Sequence, residues 1–207
     1  MKKRFFLMIC IIGMFFLVSS CTNMQTEPKI TEPEETTKPS STPVPARPKE
    51  PEKILLASAE TELIDKEENR LHNIHLATGC IDGYSLRAGE SFSFNEVVGR
   101  RTAERGYRDA TILVNGEKEL GCGGGVCQVS TTLYQAVRNA GLNILEQKSH
   151  QKEVPYAAQG DDAAVNYGTI DLRFLNNTEG TIQLYMSVDE EHVTASIYEI
   201  KSNDSAA

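Results

Sequence analysis

The chain has 207 residues, a formal net charge of −8 at pH 7, 24% charged residues and 40% hydrophobic residues. This acidic balance, without a basic stripe or an aromatic platform, argues against nucleic acid, and no nucleic-acid partner is expected. The length leaves room for one domain of ordinary size once the N-terminal segments are set aside.

The N-terminus has the pattern of a targeting segment. Residues 1–20 begin with three basic residues, continue with a short apolar run and end in small residues. This is typical of a secretory signal peptide rather than a membrane span. Residues 18–21, VSSC, resemble a bacterial lipobox and predict lipid attachment to the thiol of Cys21. An ordinary signal peptide in which Cys21 is incidental is the alternative.

Residues 21–53 are rich in Pro, Thr, Glu and Lys and nearly free of large apolar residues. Such a composition predicts a solvated, semi-extended tether, because it cannot bury enough surface to offset its ordering entropy. Its roughly thirty residues could span on the order of 100 Å. Together with the lipobox, the tether predicts an extracytoplasmic protein, lipid-anchored to the bacterial cell membrane and facing the cell wall.

The folded domain is predicted to cover residues 54–200, with residues 201–207 as a disordered tail. At its start, residues 58–80 combine charged residues with apolar ones at partly helical spacing, which predicts an opening helix. Phe92 and Phe94 then alternate with serines after a turn at Ala88-Gly89, as in a half-buried strand.

The strongest helical pattern follows. Val129, Leu133 and Val137 recur every four residues and Gly141 follows as a stop signal, which predicts a helix over about residues 126–140.

After this helix the apolar period falls to two. Residues 170–174, 182–188 and 193–197 each alternate apolar and polar side chains, and the turn sequence NNTEG separates the first two. These segments predict a C-terminal antiparallel meander. The fold class is therefore α+β, with an opening helix, a central helix that carries a cysteine at its N-terminus, and C-terminal antiparallel strands.

Cys127 is placed where a glycine-rich loop meets the predicted central helix. The unpaired N–H groups and the positive dipole end of a helix N-terminus favour an anion and lower the pKa of a cysteine. Gly123, Gly124 and Gly125 leave the loop free to adopt unusual dihedrals and to present N–H groups to an oxyanion. The pattern favours a nucleophile, although a buried structural cysteine after a simple turn fits it as well.

Other chemistries fit the loop less well. A P-loop is excluded because no Lys-Ser/Thr follows the glycines. The spacing from Cys122 to Cys127 is loose for a metal site, and no second Cys/His pair completes it, so no metal is expected.

A thiolate nucleophile needs a proton acceptor, and the domain has four histidines. His192 lies in a predicted turn, and His72 and His75 lie on the predicted opening helix. His150 precedes a polar, loop-like stretch in which Asp161 or Asp162 could orient it, giving a Cys-His-Asp arrangement. The residues alone leave open whether that contact exists.

Four motifs resemble, in the same order, those of the VanW domain. They are GESFSFNEVVGRRTAERGYRDATILVNGE, GGGVCQVSTTLYQAV, AGLNILEQKSH and VPYAAQGDDAAVNYGTIDLRFLNNTEGTIQLY. The resemblance runs from about Arg70 to about Tyr185, and several motifs at consistent spacing make it specific. The family is named for a gene that accompanies vancomycin-resistance clusters, and its domains have been recognised as L,D-transpeptidases with a cysteine nucleophile.

By position, the resemblance implies Cys127 as the nucleophile, His150 as the base and Asp162 as the residue that orients the histidine. It implies no cofactor. The family's loop motif further implies an oxyanion and substrate loop that comprises Gly123, Gly124, Gly125, Gln128 and Ser130.

Two cysteines depart from the family pattern. Without the leader and Cys21, three cysteines remain in the domain, so at most one pair can form. Cys80 and Cys122 could form a disulfide that fixes the loop to the opening helix. A Cys122–Cys127 bond would instead block the nucleophile.

The resemblance implies an L,D-transpeptidase that acts on peptidoglycan stem peptides and forms 3–3 crosslinks through a cysteine thioester. Two alternatives stay open. Water could resolve the same thioester, which would make the protein a stem-peptide carboxypeptidase or endopeptidase. Alternatively, the domain could bind the wall or a glycopeptide antibiotic without chemistry.

Overall fold

The computed structural model describes residues 51–114 and 117–201. The predicted signal peptide, the lipidation site Cys21, most of the predicted tether and residues 202–207 of the predicted tail lie outside the described residues. No helix in the described ranges is long and apolar enough to cross a membrane.

The described chain forms three α-helices and nine strands. The helices are α1 (Glu68–Ile81), α2 (Phe94–Val98) and α3 (Val126–Asn139). The strands are β1 (Glu52–Glu62), β2 (Ser85–Leu86), β3 (Ser91–Ser93), β4 (Asp109–Val114), β5 (Glu117–Cys122), β6 (Asn143–Glu146), β7 (Arg173–Leu175), β8 (Thr181–Val188) and β9 (His192–Lys201). The α+β class and the central helix are confirmed.

The main sheet has the order β1-β9-β8-β2, and all its neighbouring strands are antiparallel. Helices α1 and α3 pack against it, α3 on β1 and β9 and α1 on β8. The alternation predicted for β8 and β9 is observed, since Ile182, Leu184, Val193 and Ile197 are all fully buried. Their burial stabilises the sheet against the two helices by about 1.5–3 kcal/mol for each large side chain.

The start of the domain differs from the prediction. Residues 58–62 belong to strand β1, and the opening helix begins only at Glu68. Strand β1 pairs along the edge of β9, with Ser58 opposite Ser196, and this long-range pairing overrides the local helical tendency. Glu67 marks the true helix start, because its carboxylate accepts hydrogen bonds from the N–H groups of Asn69 and Arg70 at 3.0 and 2.9 Å. β1 also includes Glu52 and Lys53, which the composition had assigned to the tether.

The predicted three-strand meander is wrong in one respect. β8 and β9 form a hairpin, but β7 pairs with β3 and β6 in a second antiparallel sheet of order β3-β7-β6. The turn between β7 and β8 redirects the chain, because buried Asn176 donates to the carbonyls of Leu86 and Gly180 at 3.0 and 2.9 Å. Phe92 of β3 stacks on Phe174 of β7 with 4.9 Å between ring centroids.

The strand predicted around the two phenylalanines is shorter than expected. β3 ends at Ser93, and Phe94 begins α2. The hydroxyl of Ser93 accepts a hydrogen bond from the N–H of Glu96 at 3.2 Å, so this serine caps the helix and ends the strand.

β4 and β5 pair with each other as a two-stranded sheet, with Asp109 opposite Cys122. The end of β5 leads directly into the glycine loop Gly123–Gly125 and then into α3. The β4–β5 hairpin, α1 and α3 therefore meet at the glycine loop before Cys127, where the sequence predicts the site.

Candidate active site

Cys127 lies in the first turn of α3 and is half-buried. Gly125, the residue before the helix, has φ +100°, and Gly123 has φ +88°. These left-handed conformations are strained for any residue with a Cβ, so the sharp entry into the helix needs glycine. The loop thereby places the sulfur at the positive end of the helix dipole, where a thiolate is stabilised.

The loop is fixed by close packing and by a buried asparagine. A Cβ at Gly124 would lie 2.5 Å from the carbonyl oxygen of Thr111, so the loop backbone lies directly on β4. Asn73 of α1 donates to the carbonyls of Gly124 and Arg108 at 3.1 and 2.9 Å, and it accepts from the N–H of Arg108 at 2.8 Å. Sequence reasoning missed Asn73, since a lone asparagine in a charged helix gives no signal.

The backbone of the loop offers donors for an oxyanion. The N–H groups of Val126 and Gln128 are bound to the carbonyls of Gly123 and Gly125. Those of Gly124, Gly125 and Cys127 have no acceptor among the described residues. The N–H of Cys127 belongs to the nucleophile itself, so the loop can offer a donor beside the sulfur.

His150 and Asp162 form a close pair. One oxygen of Asp162, Oδ2, accepts from His150 twice, from Nδ1 at 2.5 Å and from the backbone N–H at 2.7 Å. The Asp162 side chain is 4% exposed and that of His150 12%. With Nδ1 held by the carboxylate, Nε2 is the ring nitrogen that is left for the nucleophile.

Side chains of α3 hold the segment that carries this aspartate. Ser130 Oγ donates to the carbonyl of Ala163 at 2.6 Å, and Thr131 Oγ1 accepts from the Ala163 N–H at 3.1 Å. Gln147 Nε2 donates to the carbonyl of Asp162 at 2.6 Å, which ties the aspartate to the chain that leads to His150. The polar residues of α3 thus position the pair relative to the helix start.

Cys127 lies beside His150, and each shifts the pKa of the other, while the thiol donates to the carbonyl of Val165 at 3.5 Å. Burial alone would raise the pKa of the thiol, but the contact with His150 and its charge lower it below the ordinary value. Burial alone would lower the pKa of His150, but its contacts with Cys127 and Asp162 raise it to about 9. Each partner therefore favours the charged form of the other, the thiolate of Cys127 and the imidazolium of His150.

The structure brings Cys127, His150 and Asp162 together, and it places the other candidates elsewhere. His72 Nε2 lies 2.9 Å from the carbonyl oxygen of Gly106, and His75 is exposed on α1. His192 opens β9. Asp161, the other candidate for orienting the histidine, pairs with Arg138.

Gln128 and Ser130 are buried and bind protein groups. Gln128 Oε1 accepts from Arg70 at 2.9 Å, and its Nε2 donates to the hydroxyl of Thr61 and the carbonyl of Glu62 at 3.1 and 2.9 Å. Both side chains are at most 1% exposed. In this structure they join elements of the fold, and neither reaches the surface where a substrate would lie.

The remaining cysteines stay apart from this chemistry. All three described cysteines are free thiols, so the Cys80–Cys122 disulfide stays a prediction. Both sulfurs lie near the phenol of Tyr107, whose pKa rises to about 12 chiefly through burial. Within residues 51–114 and 117–201, no group of three or more His, Cys, Asp or Glu side chains is placed to hold a metal ion.

A cavity of about 910 Å³ opens between α2 and the segment before β7. The nucleophile and its two partners do not line it. Its charged lining residues are Glu96, Arg100, Arg105, Glu146, Asp171 and Arg173.

Iodoacetamide is expected to alkylate Cys127 faster than Cys122 at neutral pH. The pKa of Cys127 is lowered, whereas burial and the negative charges of Asp109 and Glu104 raise the pKa of Cys122. Each unit of difference changes the thiolate fraction about tenfold at a pH below both values. Mass spectrometry of the two cysteine peptides over a pH series measures both rates in one sample. Equal rates would contradict the thiolate assignment.

The sequence of this chain is similar to one family model and to two known proteins. The family model described as "VanW like protein" matches residues 69–198. "Uncharacterized protein YoaR" of Bacillus subtilis (strain 168) is 50% identical over 109 residues, 53% of this chain and 36% of that protein. "Vancomycin B-type resistance protein VanW" of Enterococcus faecalis (strain ATCC 700802 / V583) is 31% identical over 137 residues, 64% of this chain and 50% of that protein. The chain thus spans half or less of these relatives' lengths. No solved structure matches the chain.

Proposed function

The chain belongs to the VanW family, and we propose that it is a cysteine acyltransferase, an L,D-transpeptidase that crosslinks peptidoglycan stem peptides. The observation that carries the proposal is the placement of Cys127 beside the hydrogen-bonded pair of His150 and Asp162, together with free N–H groups of a glycine loop. A low-pKa thiol, a histidine in contact with it and an orienting carboxylate are the parts of a nucleophilic acyl-transfer site.

In the first half-reaction the Cys127 thiolate attacks the carbonyl carbon of the third stem residue, a diamino acid. A C–S bond forms and the carbonyl electron pair moves to oxygen, where the N–H groups of the loop stabilise the charge. The tetrahedral intermediate collapses and the C–N bond to the terminal D-alanine breaks. The imidazolium of His150 gives its proton to the leaving nitrogen, which leaves a thioester and a neutral histidine.

In the second half-reaction an amine from a neighbouring stem peptide attacks the thioester. His150 takes the proton from this amine, a new C–N bond forms and the C–S bond breaks. The thiolate leaves beside the protonated histidine, so the starting ion pair is restored. The product is a 3–3 crosslink, and no external cofactor enters the balance.

The proposed place of action is outside the cytoplasm. The signal peptide and lipobox pattern of residues 1–21 support an anchor in the bacterial cell membrane. The composition of the tether supports a domain that reaches the cell wall, where stem peptides are found.

The test is to incubate the purified chain with disaccharide-tetrapeptide and to read the products by mass spectrometry, with Cys127→Ala as the matched control. A dimer formed with loss of D-alanine, absent from the control, supports transpeptidation. Tripeptide without dimer would replace it with hydrolysis by the same cysteine. No product under reducing or oxidising conditions would favour a binding domain without chemistry.

A further inference from the structure

Arg101 is held rigidly beside the glycine loop. Its Nη1 donates to Asn95 Oδ1 at 2.7 Å and to the carbonyl of Gly99 at 2.9 Å. Its guanidinium carbon lies 5.6 Å from the ring centroid of Phe94. A Cβ built on Gly123 would lie 2.7 Å from the Arg101 Cβ, so the base of the side chain packs on the loop that leads to the nucleophile.

The other terminal nitrogen of this guanidinium is unused. Nη2 is buried and has no hydrogen-bond partner among the described residues. Leaving a buried donor unpaired costs free energy, which an arriving acceptor would recover. Asn95, which holds Nη1, is itself fixed by donating to the carbonyl of Ile170 at 2.8 Å. The guanidinium is therefore held in place by Nη1 while its Nη2 donors stay unused.

No carboxylate of the described chain neutralises this charge directly. The negative charges of the Cys127 thiolate and, more weakly, of Asp171 act on Arg101, but the oxygens of Asp171 already accept from the Ser93 hydroxyl and from the N–H groups of Asn95 and Leu172. Among the described residues, Arg101 forms no ion pair.

A second arginine flanks the other end of the loop. A Cβ built on Gly125 would lie 3.0 Å from Arg70 Cγ, and Arg70 Nε is also buried without a partner in the described chain. Two guanidinium groups with unused donors on either side of the nucleophile loop indicate an anionic ligand.

From this arrangement we infer that Arg101 binds the free C-terminal carboxylate of the donor peptide, so that the site cleaves the last peptide bond and not an internal one. The inference rests on the proposed function. In a donor that loses one terminal residue, the carboxylate is attached to the same α-carbon as the scissile nitrogen. A guanidinium beside the nucleophile is therefore within reach of it.

The test compares two donors, disaccharide-tetrapeptide with a free C-terminal carboxylate and the same compound with a C-terminal carboxamide. For the native chain we expect kcat/KM to be about 10- to 100-fold higher for the free acid, as for a charged hydrogen bond. Arg101→Gln should abolish the preference, with a larger loss of kcat/KM on the acid than on the amide, because the charge of Arg101 also lowers the pKa of Cys127 and its removal affects both donors to a smaller degree. Arg101→Lys, which keeps the charge, should retain part of the preference.

The matched control is Arg100→Gln, which removes the same charge from an exposed neighbour whose guanidinium lies 4.7 Å from the ring centroid of Tyr167. It should keep the full preference for the acid. Equal kcat/KM for both donors in the native chain would overturn the inference and leave acyl transfer intact. An equal loss on both donors in Arg101→Gln would overturn it too, because Arg101 would then act on the bond-breaking step. If the native chain released neither D-alanine from the acid donor nor D-alanine amide from the amide donor, the proposed function itself would be rejected.

Discussion

Replacing His150 by alanine is expected to lower the kcat/KM of acyl transfer by roughly 10⁴-fold. The imidazole contributes twice, since its contact and charge lower the pKa of the Cys127 thiol and its proton goes to the leaving nitrogen. Without it the thiol loses the contact that offsets most of its burial, and only the weaker effects of the Val165 backbone and the Arg101 charge remain, so its pKa should rise. Alkylation of Cys127 by iodoacetamide at neutral pH should therefore slow in the same variant.

The two measurements separate these contributions. Product formation depends on both the pKa of the thiol and the proton transfer to the leaving nitrogen, whereas the pH profile of alkylation depends on the thiolate fraction alone. His75→Ala is the matched control, because His75 is exposed on α1 and should leave both quantities unchanged. If His150→Ala retained the native alkylation profile, the thiol–imidazole contact would have no effect on the nucleophile and the site would need another base.

Substitutions at Asp162 are expected to separate two contributions of the His150–Asp162 pair to kcat/KM, the negative charge of the carboxylate and the orientation of the imidazole ring. Because a single oxygen of Asp162 accepts both hydrogen bonds from His150, an asparagine oxygen can take its place and keep the ring oriented. Asp162→Asn should therefore act mainly by removing the negative charge, and the pKa of His150 should fall from about 9. Asp162→Ala removes both hydrogen bonds and should lower kcat/KM further, by roughly 10³- to 10⁴-fold in total.

The pH dependence of acyl-enzyme formation in Asp162→Asn shows in which direction the pKa of His150 moves. Acyl-enzyme formation needs the thiolate and the protonated histidine, so in the native chain it should decline above about pH 9, where His150 loses its proton. In Asp162→Asn this decline should move to lower pH. Asp161→Asn is the matched control, since the neighbouring carboxylate pairs with Arg138. An unchanged upper limit in Asp162→Asn would show that the carboxylate does not set the proton affinity of His150.

The fold explains why these residues can act together although they are distant in sequence. His150 follows β6 and Asp162 lies in the segment before β7, both tied to the second sheet. Cys127 lies in the first turn of α3, which packs on the main sheet. Ser130 and Thr131, one turn further along that helix, bind the backbone of Ala163 and thereby join the two parts of the site. Their substitution should disturb the geometry rather than remove a reacting group.

Local patterns in the sequence determined several features of this protein. The spacing of Val129, Leu133 and Val137 determined α3, and period-two alternation determined β8 and β9, because one face of each element must be buried. The glycines before Cys127 predicted a loop with unusual dihedrals, and positive φ angles are observed at Gly123 and Gly125. The family motifs supplied the three residues that the structure then brings together.

The tertiary structure alone decided the rest. Residues 58–62 form a strand because β9, 130 or more positions further along the chain, offers an edge for pairing, and a local pattern carries no information about such a partner. Gln128 and Ser130 share a motif with the nucleophile, but their buried hydrogen bonds join elements of the fold. The position of Arg101 also needed the structure, although four arginines within residues 100–108 of an acidic chain were a signal. Only packing decides which of them lies against the nucleophile loop with an unused donor.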